Sequence, residues 1–335
     1  MRFVMCGAGA IGGVLGCQLA KAGFEVMFID KIPEHVEAIN QHGLQLKGVH
    51  GHATLNVPAV MQANEVDFTD QDVIFLAVKS QHSDAAAAEL RQAAGRELPI
   101  FCAQNGVRNE ETVARHFQQV NGVMVLISAK RLLPGEVVHT GNGPVGVGTF
   151  PRGLSQAAQD VAAALEQTDL PIYTTENITA AKWNKMLMNL NNATMGLTGM
   201  ASQEARAHPE TRLWLADVFE EGASVLNEVG IAYEGPPGMG AIEERIRELR
   251  NLDLKPEVPE DEELKSRASL WQDLYHQRGE VEADYFNGEI VRLGQEHHIP
   301  TPYSRVLLEL IKEMAAAREL PGKYTIAQLR EHLRA

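Results

Sequence analysis

Residues 1–30 read MRFVMCGAGAIGGVLGCQLAKAGFEVMFID. The run from Phe3 to Cys6 is short and apolar, the pattern of a buried parallel strand. Gly7-Ala8-Gly9-Ala10-Ile11-Gly12 follows at once, and then a helical pattern with Val14, Leu15, Cys17, Leu19 and Ala20 apolar. Gly23 suits the left-handed residue that closes a helix. A second apolar run, Val26 to Ile29, ends in Asp30. Strand, glycine turn, helix, strand and terminal acid form a dinucleotide-binding fingerprint in its full context.

Each residue type in the stretch has a physical reason. Gly7 allows a sharp turn off the strand. Gly9 leaves room for a pyrophosphate against the backbone, and Gly12 lets the helix approach the strand closely. Ala10 and Ile11 stand at the helix start, where free N–H groups and a partial positive charge face an anion. Asp30 would accept hydrogen bonds from an adenosine ribose diol. Gly7, Gly9, Ala10, Ile11, Gly12 and Asp30 are therefore the expected cofactor contacts.

The rest of the chain divides into two parts. With 335 residues there is length for two domains, each with its own core. Residues 1–175 alternate apolar runs with helical patterns, the mark of an α/β Rossmann-type domain. The clearest further strands are 72–78, 99–103 and 123–127. Shorter ones are expected at 44–46, 53–57 and 172–174. Segments 135–140 and 144–149 read as a hairpin about Gly141-Asn142-Gly143. From 176 to 335 helical patterns dominate, at roughly 177–195, 203–229, 241–250, 261–278, 280–298 and 303–317. The second domain is expected to be all-α.

Composition excludes some functions. Thirty basic against 44 acidic residues give a net charge of −14, which would repel nucleic acid and anionic membrane surfaces overall. No apolar run is long enough to span a bilayer. Cys6, Cys17 and Cys102 sit in core-like surroundings without metal-ligand spacing, so no metal site and a reducing, cytoplasmic setting are expected. The apolar helix faces of the second part suit a core or a homodimer interface equally.

Several polar residues fall where chemistry would need them. Lys79 and Asn105 each follow a buried strand, and open α/β sheets bind ligands beyond the carboxyl ends of their strands. A solvated lysine and an ordinary Asn-Gly turn are the plain alternatives. Lys182-Trp-Asn-Lys-Met-Leu-Met-Asn-Leu-Asn-Asn192 carries three asparagines within four positions of a helical segment, against their propensity. Lys185 and Asn189, four apart, share a face and need polar partners, which helix–helix contacts or a substrate would supply. Glu282 falls on a face shared with Tyr285 and Phe286. Alone, it and Ser269 are unremarkable.

The motifs together resemble the ketopantoate reductases, also called 2-dehydropantoate 2-reductases. The resemblance runs nearly end to end: GAGAIG at 7–12, AVKS at 77–80, QNGV at 104–107, AKR at 129–131, W-x-K-x-x-x-N at 183–189, S-x-x-Q-D at 269–273, E-x-D-Y-x-N-G at 282–288 and IPTP at 299–302. It implies a Rossmann domain followed by a helical domain with the active site in the cleft between them, and NADPH-dependent reduction of a small 2-oxo acid, 2-dehydropantoate, to pantoate. By matching position, Lys185 would be the proton donor and Glu282 the acid that holds the substrate hydroxyl. Asn105 and Asn189 would orient the substrate, Ser269 would meet its carboxylate, and Lys79 would serve the cofactor side.

Three departures modify that expectation. Asp30, followed by Lys31, stands where the family usually has a basic residue for the 2′-phosphate of NADP(H). The aspartate leans the site toward NAD(H), and Lys31 could offset it, so the choice between the two dinucleotides stays open. Ala193 occupies the position of a further expected asparagine, with Asn192 beside it. The segment 233–265 is long and acidic, close in sequence to Ser269, so another 2-oxo acid remains open. A related NAD-linked 2- or 3-hydroxy-acid dehydrogenase is the second reading. A dinucleotide-sensing protein is the third, and it has no need of a proton donor.

Overall fold

The computed structural model describes residues 1–131, 133–262 and 265–334. The chain separates into two compact units, Met1–Lys182 and Trp183–Ala335. Among the described residues no helix is long and apolar enough to cross a membrane.

The first unit is built on an eight-stranded sheet and a smaller four-stranded one. Its strands are β1 (Arg2–Cys6), β2 (Glu25–Ile29), β3 (Leu44–Gly48), β4 (Ala53–Leu55), β5 (Ala59–Val60), β6 (Asp72–Leu76), β7 (Ile100–Cys102), β8 (Val120–Val125), β9 (Ser128–Lys130), β10 (Glu136–Gly141), β11 (Val145–Thr149) and β12 (Ile172–Thr174). The large sheet runs β12-β11-β8-β7-β6-β1-β2-β5. β1 pairs in parallel with β2 on one side and β6 on the other, so the chain order reverses at β1. That reversal opens a crevice at the strands' carboxyl ends. Among the described residues, β8 and β11 are the one antiparallel pair in this sheet. The central strands β1, β6 and β7 are almost wholly buried, which is why they read as continuous apolar runs.

Helix α1 (Ala10–Lys21) lies against both sheets. A Cβ at Gly12 would collide with the Gly7 carbonyl and Ala77, and one at Gly13 would meet Val137 of β10. Buried on both sides, the helix is apolar nearly all round instead of along one stripe. The remaining helices of this unit are α2 (Pro33–His42), α3 (Ser83–Ala94), α4 (Asn109–Val113) and α5 (Gln156–Leu165). Helix α6 (Ile178–Asn189) begins here and continues into the second unit.

The expected hairpin at 135–149 is not formed. β10 joins the small sheet β4-β3-β10-β9, while β11 joins the large one. Gly141-Asn142-Gly143 is therefore a crossing between sheets. A Cβ at Gly143 would strike the Leu126 carbonyl, so this glycine serves close approach rather than a turn between paired strands.

The second unit is helical: α7 (Asn192–Thr198), α8 (Ser202–Ala207), α9 (Pro209–Glu228), α10 (Ile242–Arg250), α11 (Ser269–Tyr275), α12 (Asn287–His297), α13 (Pro302–Ala316) and α14 (Ile326–His332). Several helices expected as single pieces are divided. The one expected over 177–195 breaks at 190–191. There the Leu190 carbonyl is taken by Asn287 Nδ2 at 3.1 Å, and Asn191 Nδ2 donates to the Leu215 carbonyl at 3.1 Å. The one expected over 203–229 breaks before Pro209, whose missing N–H and ring exclude it from a helix interior.

The helix expected over 261–278 begins only at Ser269, and Glu263 and Leu264 within it lie outside the described residues. Upstream, the Ser266 carbonyl accepts from Ser202 N–H at 3.0 Å instead of continuing a helix. The segment expected as a helix from 280 starts as a 3₁₀ turn, Glu282–Tyr285, and α12 follows only after Phe286. Glu282 thus stands on a tight turn and not on an α-helical face. Elsewhere in this unit, Glu221 accepts from the N–H groups of Tyr303 at 2.8 Å and Ser304 at 2.7 Å, capping α13.

Candidate active site

The glycine turn is held in one shape by its surroundings. Gly7 has φ +107°, a conformation that side chains rarely adopt, and a Cβ there would meet the Ala77 carbonyl carbon at 2.8 Å. Gly9 caps α1 without a side-chain partner, in ordinary extended geometry. Among the described residues, a Cβ on Gly9 would meet nothing within 4 Å, so open space lies over this residue. The first N–H groups of α1, at Ala10, Ile11 and Gly12, have no carbonyl of their own helix to bond. An open face above Gly9 and free N–H groups fit the pyrophosphate of a dinucleotide.

Asp30 lies at the end of β2, next to this turn. Its Oδ2 accepts from Ala8 N–H at 2.9 Å and its Oδ1 from Ile32 N–H at 3.0 Å. Each oxygen retains a lone pair for a ribose hydroxyl. Lys31, the cation next to Asp30 in the chain, is paired with Glu89 at 2.9 Å.

Lys79 sits just past β6, at the cap of a short 3₁₀ turn. Asn105 follows β7, and its backbone carbonyl is fixed twice, by Ser80 Oγ at 3.0 Å and Asn109 Nδ2 at 2.6 Å. Behind it the Ser83 hydroxyl donates to Asn109 at 2.7 Å and accepts from Gln104 at 2.7 Å. This buried network sets the loop while leaving the Asn105 side-chain amide without a protein partner among the described residues. Gly7 to Gly12, Asp30, Lys79 and Asn105 thus collect at the carboxyl ends of β1, β2, β6 and β7.

The second unit gathers a separate polar group. Lys185 is partly exposed, and it forms no hydrogen bond or ion pair among the described residues. Burial of its ammonium pulls its pKa down to about 8. Asn189, one turn further along α6, is 7 % exposed, and its Nδ2 has no acceptor among the described residues. Asn192 Nδ2 donates to Ser269 Oγ at 3.2 Å and approaches Asn189 Oδ1 at 3.4 Å. Asn189 and Asn192 form one cluster with Ser269, which is far away in sequence. Ala193 is wholly buried, so Asn192 is the asparagine that meets Ser269. Glu282 is 9 % exposed on its 3₁₀ turn.

An ammonium one turn from a buried amide nitrogen, neither with a partner among the described residues, is a costly arrangement unless a ligand completes it. A cation of pKa about 8 can give up a proton near neutral pH, and the amide can hold an oxygen.

Two family models match the chain. Ketopantoate reductase PanE/ApbA covers residues 3–152, and ketopantoate reductase PanE/ApbA C terminal covers residues 177–315. The chain belongs to the ketopantoate reductase family. Among its relatives, 2-dehydropantoate 2-reductase of Pyrococcus abyssi is 28 % identical over 324 residues, spanning 96 % of this chain and 100 % of that one. The corresponding protein of Lactococcus lactis is 26 % identical over 93 % of this chain and 97 % of its own length. The crystal structure of a PanE/ApbA family ketopantoate reductase from Ralstonia eutropha is 28 % identical, with a TM-score of 0.79 over 95 % of this chain and 99 % of that one. A ternary structure of D-mandelate dehydrogenase with NADH and anilino(oxo)acetate shares the fold, with TM-score 0.80 at 24 % identity over 95 % of this chain and 99 % of that one.

Two features of the site were not foreseen. The Ser80–Ser83–Gln104–Asn109 network behind Asn105 left no sequence signal beyond polar residues near a strand end. The buried pair of Lys182 and Glu110 is the other. Nothing in the sequence marks Lys182 as buried, yet its side chain is 5 % exposed and that of Glu110 2 %.

Proposed function

We propose that this member of the ketopantoate reductase family reduces a small 2-oxo acid with a nicotinamide dinucleotide, and that 2-dehydropantoate, giving pantoate, is the substrate. The observation that carries the proposal is Lys185, a partly buried ammonium one turn from the amide nitrogen of Asn189, neither with a partner among the described residues. Gly7, Gly9, Ala10, Ile11, Gly12, Asp30 and Lys79 are the residues that would hold the dinucleotide. When bound, the dinucleotide supplies the hydride for the carbonyl carbon.

The protein's own task is to place the substrate and to deliver a proton. Lys185 gives its proton to the carbonyl oxygen, where negative charge develops on reduction. Asn105 and Asn189 fix the carbonyl and its neighbours. Ser269, with Asn192, receives the carboxylate, and Glu282 accepts a hydrogen bond from the substrate hydroxyl. The free, buried thiols of Cys6, Cys17 and Cys102 suit the cytoplasm.

Asp30 favours NADH over NADPH, since its carboxylate would face a 2′-phosphate, while Lys31 next to it pairs with Glu89 at the surface. The same feature supports the second reading, an NAD-linked hydroxy-acid dehydrogenase with another substrate. Steady-state assays of NADH and NADPH against a panel of 2-oxo acids decide between them. Lys185→Ala should lower kcat by about 10²-fold while dinucleotide affinity survives. Unchanged turnover in that variant would refute the proton-donor role.

A further inference from the structure

His35 lies on α2, is 0 % exposed, and has no part in the chemistry proposed above. Its ring nevertheless joins two distant segments. Gly135 N–H donates to His35 Nδ1 at 2.8 Å. A backbone N–H can only donate, so Nδ1 carries no proton and Nε2 carries the ring's hydrogen. Nε2–H then donates to the Ala8 carbonyl at 2.8 Å. Ala8 is the residue between Gly7 and Gly9, and its N–H is already held by Asp30 at 2.9 Å. Both backbone polar groups of the turn's central residue are thus set by side chains, and one of those side chains is set in turn by Gly135.

Gly135 is itself immobilised. It has φ +71°, and a Cβ there would meet Ala38 of α2 at 2.9 Å. Its carbonyl accepts from Gln45 N–H at 2.9 Å, the first bond of the β3–β10 ladder. The relay therefore references the phosphate-binding turn to the smaller sheet.

We infer that His35 is a positioning residue for the dinucleotide: its neutral, Nε2–H form shapes the Gly7–Gly9 turn, and its protonation releases it. This rests on the cofactor reading given above. A second proton would place N–H on Nδ1 against the Gly135 N–H, so one bond of the relay must break. Two charged groups act on the ring from neighbouring elements. Arg131, after β9, disfavours the imidazolium and Asp30, at the end of β2, favours it. Burial is the largest influence and keeps the pKa below the ordinary imidazole range. Dinucleotide affinity is accordingly full at neutral pH and falls as the pH drops through the folded-state value.

Glutamine provides the discriminating substitution. Its amide has one acceptor and one donor, spaced much as the two ring nitrogens are, and it does not titrate. Calorimetric titration of the full-length protein with NADH and with NADPH, from about pH 8 to about pH 5, reads the effect. The wild type should lose affinity toward the acid end about fivefold more than His35→Gln does. At neutral pH His35→Leu should bind about fivefold more weakly, while His35→Gln stays within about twofold. Parallel loss of affinity in wild type and His35→Gln across the range overturns the inference and leaves the cofactor reading intact. Failure of the wild type to bind either dinucleotide at any pH overturns both. If His35→Leu does not fold, the pH comparison of wild type with His35→Gln still decides.

Discussion

Removing one member of the Lys182–Glu110 pair should be far more damaging than removing both. Lys182 Nζ bonds Glu110 Oε1 and donates to the Cys102 carbonyl at 3.1 Å, at the end of β7. The side chains are 5 % and 2 % exposed, so neither charge is reached by water to any useful extent. Gly122 lies beside the Glu110 carboxylate, where a Cβ would meet Oε1 at 3.0 Å and Ile178 at 2.6 Å. Lys182→Met keeps the stem's bulk and leaves Glu110 buried without its cation. A broken buried pair costs about 3–5 kcal/mol. For a unit of this size each kcal/mol lowers Tm by about 2–4 °C, which gives a fall of roughly 6–20 °C. Replacing both partners with apolar residues of similar volume is often neutral or stabilising. Lys182→Met with Glu110→Leu should therefore recover most of the loss, and the double-mutant cycle should show a coupling of about 2 kcal/mol or more. Thermal and urea unfolding of the four proteins measures it. Equal destabilisation in the single and double variants would refute the argument, because the cost would then come from lost packing and not from an unpaired charge.

Other outcomes follow from the site. Lys185 titrates at about 8, so kcat/KM for reduction should be level below that pH and fall about tenfold per unit above it, while the reverse oxidation rises through the same pH. A pH profile of both directions tests this, and a reduction rate indifferent to pH around 8 would exclude the lysine as donor. Asp30→Asn keeps an acceptor for Ala8 N–H but removes the charge. It should shift the NADPH-to-NADH ratio of kcat/KM upward by about five- to tenfold, the scale of a screened charge pair. Gly9→Ala should leave Tm unchanged, since its Cβ meets open space, yet weaken dinucleotide binding. Gly12→Ala should lower Tm, because its Cβ meets the Gly7 carbonyl and Ala77. Calorimetry on both variants separates ligand space from packing space.

What the sequence revealed about this fold was local. The opening thirty residues were readable because every signal in them acts over a few positions: a five-residue apolar strand, glycines at fixed offsets, a helix and an acid. Helix existence in the second unit was readable for the same reason, but helix ends were not. The break at 190–191 depends on Asn287, about a hundred residues away, offering a donor to the Leu190 carbonyl. The late start of α11 depends on Ser202 claiming the Ser266 carbonyl. No window along the chain contains both partners of either bond.

The hairpin that does not form makes the same point about sheets. Gly141-Asn142-Gly143 carries turn chemistry, and two alternating runs flank it. The outcome is decided by where each run buries its valines. Val137 is 0 % exposed against Gly13 of α1, on the side of the helix that faces the small sheet. Val145 and Val147 are equally buried, but in the large sheet beside β8. A helix with glycines at positions 12, 13 and 16 can accept strands closely on both flanks, and that makes two sheets available to consecutive strands. Gly13 and Gly16, just past the dinucleotide turn, thus let one helix serve both sheets, and His35 links the turn to the small sheet by tying Ala8 to Gly135.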